Sequence, residues 1–114
     1  REQHHFPILA DFVRAQTTAG TFVVTDVWWL DQLAAAALDG RTVLFTGDAD
    51  TGRNVVQRLS DRTVPSLTVI RSREASEDLD SWSAPTCYFE EGRNELDVRG
   101  VVAIRLRHRC GYKP

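Results

Sequence analysis

Methionine is absent from this chain, and no run of apolar residues is long enough to cross a bilayer. The lack of a starting methionine suggests a piece cut or processed from a longer protein. Only two cysteines occur, Cys87 and Cys110, too few to build a structural zinc site on their own. An excess of either charge is also lacking: the formal net charge is −2, which argues against a dedicated nucleic-acid binder. No signal-peptide pattern is visible. What remains is the composition of a folded domain, with 114 residues and 42% hydrophobic. Residues 1–114 are read as one α/β domain.

The apolar pattern changes period along the chain. Pro7 suits the first turn of a helix, where its missing N–H costs nothing. Phe6, Leu9, Phe12 and Val13 follow at helical spacing, with Gly20 as a stop. Phe22, Val23 and Val24 read as a strand buried on both faces. Val27, Leu30, Ala34 and Leu38 give the next helix its stripe, which Asp39 and Gly40 end. Val43, Leu44 and Phe45 make a second strand, Val55, Val56 and Leu59 mark a third helix, and residues 67–70 form a third strand. Such alternation is the signature of parallel β-α-β units.

The last third differs. Residues 71–84 read as a polar connection carrying Glu74, Glu77, Asp78 and Asp80. Residues 86–90 and 101–109 read as strands, with the turn within 94–100. Val102, Ile104, Leu106 and His108 alternate with Ala103, Arg105, Arg107 and Arg109, the period of a half-buried strand. The expected architecture is a small three-layer α/β sandwich: three parallel strands alternating with helices, then a C-terminal antiparallel pair. Strand order is left open.

Ligands of open α/β sheets sit beyond the carboxyl ends of the parallel strands. Asp26, in the segment TFVVTDVWWLDQL of residues 21–33, stands there as a ligand-binding residue or as a cap for the following helix. Trp28 and Trp29 cannot share one core position, because adjacent helical side chains point about 100° apart. One of them is expected at an edge or an interface, with Gln32 on the Trp28 face. Asp48 and Asp50 lie in a polar turn that lacks the lysine and glycine spacing of a P-loop. They are read as a helix cap and a solvated turn, or as a shared divalent-cation site with Asp26. Neither acid fits an EF-hand, since Leu59 stands where its last ligand belongs.

No nucleophile, base and orienting acid stand out for Cys87, His4, His5 or His108. No catalytic residue, metal motif or cofactor is therefore assigned. Arg105, Arg107 and Arg109 share a strand face that either meets phosphate groups or is simply solvated. Cys87 and Cys110 bracket the last supersecondary unit, so a bond between them would close just over twenty residues. It would contribute roughly 3 kcal/mol and imply an oxidising compartment. Two buried thiols in a cytoplasmic domain are the alternative.

The stretch TDVWWLDQLAA within residues 20–46 resembles the soluble extracytoplasmic part of large multi-spanning glycosyltransferases that use polyprenyl-phosphate donors. Thr25, Asp26, Trp28, Trp29, Gln32 and Val43, Leu44 and Phe45 carry the likeness. It implies a non-catalytic accessory domain beside the transmembrane portion of the same polypeptide, facing anionic lipid head groups or polyprenyl phosphate. The family's catalytic acids belong to membrane-embedded loops, so none maps onto this chain. The readings set against it are a small metal- or ligand-dependent hydrolase using Asp26 and Asp48, and a cytoplasmic partner-binding module.

Overall fold

The computed structural model describes residues 2–30, 35–73, 86–97 and 100–109, with the side chains of residues 2–7, 35 and 36 left out. Helix α1 (Glu2–Gln16) precedes strand β1 (Phe22–Thr25). A short 3-10 helix (Ala35–Leu38) leads to β2 (Thr42–Phe45), followed by helix α2 (Ala49–Asp61) and β3 (Ser66–Ser72). Strands β4 (Tyr88–Leu96) and β5 (Val101–His108) complete one five-stranded sheet in the order β2-β1-β3-β5-β4. Strand β1 runs parallel to β2 and to β3, whereas β5 is antiparallel to both β3 and β4. The expected three parallel strands and terminal antiparallel pair are thus present.

Two apolar clusters cover the two faces. On one, Leu9 and Val13 of α1 pack with Val23, Ile70, Val101 and Ala103, joined by Val27, Leu30, Ala37 and Leu38. On the other, Val56 and Leu59 of α2 pack with Val24, Leu67, Val69, Val102, Ile104 and Leu106. The arrangement follows from handedness. The chain steps from β1 to β2 and then returns past β1 to β3. Both crossovers can be right-handed only if they lie on opposite faces.

Several local expectations need correction. Helix α1 begins at Glu2, so Pro7 lies beyond the first turn and forgoes one intrahelical hydrogen bond. Residues 35–38, expected to be α-helical from their alanines, form a 3-10 turn packed against α1. Residues 31–34 of that helix lie outside the described residues. Strand β2 is an edge strand, which is why its apolar run is only half-buried. Strand β5 is covered on both faces from Val101 to Ile104 rather than on one. Strand β4 continues to Leu96, with a register shift between Glu90 and Gly92. Arg71 and Ser72 belong to β3 rather than to a polar connection, because β5 pairs with them to the end.

Candidate functional sites at the two ends of the sheet

At the carboxyl ends of the parallel strands, β1 and β3 lie side by side where the direction of winding reverses. This is the position in open α/β sheets where a crevice normally receives a ligand. Here an ion pair occupies it. One carboxylate oxygen of Asp26, Oδ2, accepts from Nε of Arg71 at 3.0 Å and from Nη2 at 2.9 Å. Arg71 is 4% exposed and Asp26 18%. The other oxygen, Asp26 Oδ1, is buried without a hydrogen-bond partner. Thr25 fixes the approach: its hydroxyl donates to Ile70 O at 2.7 Å and accepts from Val27 N–H at 3.0 Å. Thr25 thus accepts from the backbone in a local turn rather than at the start of a helix, since residues 28 and 29 are themselves a turn.

Trp28 and Trp29 separate as expected, although they lie in a turn rather than on the helix the sequence suggested. Trp29 is half-buried against the α1-side core, while Trp28 is 73% exposed. Phe45, at the carboxyl end of the edge strand, is exposed as well. Gln32 lies outside the described residues.

Asp48 is the N-cap of α2 and accepts from the backbone N–H of Thr51 at 2.8 Å. That backbone hydrogen bond, above all, holds its carboxyl below the usual range. Asp50 pairs with Arg53 one turn on. Among the described residues no group of three His, Cys, Asp or Glu side chains could hold a metal ion.

The arginines lie at the other end of the sheet. Arg105 faces Thr68 across β3, and Arg107 faces Ser66. Both line a cavity of about 230 Å³ just past the end of α1, with Gln16, Thr18 and Thr21. Arg107 donates to Glu91 at 2.5 Å. Arg109, beyond the strand, lies over the ring of Phe89 with its guanidinium carbon 4.2 Å from the ring centre. Arg105 depends on Gly92, its partner on β4: a Cβ there would lie 2.1 Å from the Arg105 Nη2. Nothing in the periodicity of the sequence marks that dependence, although a glycine inside a strand is the available signal.

The hairpin is tied to the end of α2 by polar contacts. Ser60, buried, accepts through Oγ from Cys87 N–H at 2.9 Å, and its carbonyl accepts from His108 Nε2 at 2.9 Å. A carbonyl only accepts, so the imidazole carries its proton on that nitrogen. Tyr88 stacks edge-on against His108 and donates its hydroxyl to Val64 O at 2.7 Å. Burial pushes the Tyr88 phenol up to about 12. The N–H of Arg109 donates to Cys87 O at 2.9 Å. Cys110, the next residue, lies outside the described residues.

No protein-family profile matches this sequence, and no curated protein matches it. Among solved structures, the chain is similar to a protein in the NADB-Rossmann superfamily from Streptococcus agalactiae. The identity is 12% and the TM-score 0.48, covering 93% of this chain and 70% of that one. No helix among the described residues is long and apolar enough to cross a membrane.

Proposed function

We propose that this chain is a non-catalytic accessory domain of a membrane-bound, glycosyltransferase-like protein, and that it packs on the transmembrane portion through the carboxyl end of its sheet. The observation that carries this reading is the contrast between Asp26 and Trp28. The acid in the ligand crevice is bound to Arg71, while the adjoining tryptophan stands 73% exposed. An indole that presents an apolar ring and one N–H suits a half-wet contact. Exposed Phe45 extends the same end.

A Cys87–Cys110 bond would place the domain on the extracytoplasmic side. The hydrogen bond from Arg109 to Cys87 supports the pairing, since it brings the residue before Cys110 onto the Cys87 backbone.

Two measurements test the proposal. With a photo-crosslinking amino acid at Trp28, the protein in its native membranes should yield an adduct with a membrane-embedded segment. Recovery of the adduct solely with soluble proteins, or a full reading frame without membrane spans, would defeat the reading. Alkylation under native conditions should leave both cysteines unlabelled until a reductant is added. Rapid labelling of both would favour the cytoplasmic partner-binding module. Stoichiometric divalent-metal binding lost in Asp26→Ala would instead favour the hydrolase.

A further inference from the structure

The cavity past the end of α1 has an unbalanced set of polar groups. Its acceptors are already engaged. Gln16 O accepts from the Thr68 hydroxyl at 2.8 Å, and Thr18 O accepts both the N–H and the hydroxyl of Thr21. Val13 O, one turn earlier, takes the Thr17 hydroxyl at 2.8 Å. Two of the last four carbonyls of α1, those of Val13 and Gln16, are thereby engaged. Gln16 Oε1 accepts from Asn94 at 2.9 Å, which turns its amide nitrogen into the unused half of the group.

The donors are in the opposite state. Arg105 Nε is buried with no partner, and none of the ion pairs among the described residues includes Arg105. Ser66, which carries a hydroxyl, lines the same space. The one carboxylate on the wall, Glu91, is held by Arg107. Arg105, Arg107 and Glu91 together leave one positive charge facing the cavity. A partly buried guanidinium without an anion is costly, and Gln16, Ser66 and Arg105 line the space from the α1 end, β3 and β5.

We infer that this cavity is a binding site for a phosphate-class oxyanion, with Arg105 as its principal cation. A tetrahedral oxyanion accepts from several directions at once and suits the guanidinium fork together with hydroxyl and amide donors. The volume, about 230 Å³, is below the usual 300–1,000 Å³ of sites for drug-sized ligands. The cavity therefore takes a phosphate group with a small substituent, not a nucleotide. The site lies at the amino ends of β1 and β3, away from Trp28, and does not rest on the membrane-packing proposal.

The test uses calorimetry with inorganic phosphate, and co-sedimentation with vesicles of phosphatidylcholine alone or mixed with phosphatidic acid. Wild-type protein should bind phosphate saturably, and Arg105→Gln should weaken binding about tenfold or more, as expected on losing charge-assisted hydrogen bonds. Ser66→Ala should lower affinity to a smaller extent, and it serves as the test if Arg105→Gln fails to fold. Arg62→Gln, distant from the cavity, should bind as wild type. Arg105-dependent binding to phosphatidic acid vesicles, with none to free phosphate, would identify a lipid head group as the source of the same chemistry. No saturable binding to either, or equal binding by wild type and both cavity variants, overturns the assignment.

Discussion

Thr63 adopts φ +56°, a left-handed conformation that a β-branched residue rarely takes. It does so because it closes α2. Its N–H reaches Ser60 O at 2.9 Å, and Val64 N–H reaches Leu59 O at 3.0 Å, the paired hydrogen bonds of a Schellman end. Glycine fits that position without a Cβ clash, so Thr63→Gly should raise stability by about 1 kcal/mol after its extra chain entropy is counted. A thermal melt checks it, and a lower midpoint would show that the threonine is favoured there. The opposite outcome is expected at Arg71. Replacing it with leucine leaves the Asp26 carboxylate without its cation, next to an oxygen that already lacks a hydrogen bond. Denaturant unfolding of Arg71→Leu should show a loss of about 3–5 kcal/mol, and Asp26→Asn in the same background should restore part of it. Asp26 was legible as a strand-exit residue. Arg71 and Ser72 were legible as another strand exit at the same end, but the pairing was not, because the two partners are 45 positions apart and Arg71 also resembles the start of a polar connection.

Elements were readable where burial decides them. Val23, Val24 and the 67–70 run identify central strands because both sheet faces are covered there. The second helix was less legible: alanine propensity at 35–38 does not distinguish an α-helix from a 3-10 turn once α1 determines the packing. The arginine cavity was legible only as a basic stripe, since its shape depends on where α1 stops and on Gly92. Two elements also carry opposite pH dependences. Asp48 at the start of α2 has a lowered folded-state pKa. Its contribution is present above the ordinary carboxylate range and is lost as pH falls through the folded value, while Asp48→Asn should flatten that acid limb in a pH series of melts. Tyr88 at the start of β4 is raised to about 12 from an ordinary 10. Its contribution is complete below pH 10 and disappears as pH rises toward 12, where the folded phenol also ionises. Tyr88→Phe should remove that alkaline slope while losing the hydrogen bond to Val64. A slope unchanged in the variant would assign it to another group.

At the scale of the molecule, the disulfide prediction separates two parts of the fold. If Cys87 and Cys110 are joined, reduction should lower stability by about 3 kcal/mol at most and loosen the β4–β5 hairpin, leaving the parallel strands formed. Hydrogen exchange read strand by strand would show this, and equal loss of protection in β1 would contradict it. The strand order has a consequence for how the chain is made. The central strand β3 finds β1 behind it in the sequence, but its other neighbour is β5, which follows even β4 in the chain. During translation at about 5–20 residues per second, the 36 positions from Ser72 to His108 take roughly 2–7 s to emerge. Throughout that interval one edge of β3, flanked by Ile70 and Val69 side chains that await β5, has no strand beside it. A nascent chain stalled there offers an apolar edge to chaperones or to other nascent chains, because the middle of the sheet is closed by β5, which is made after the marginal strand β4.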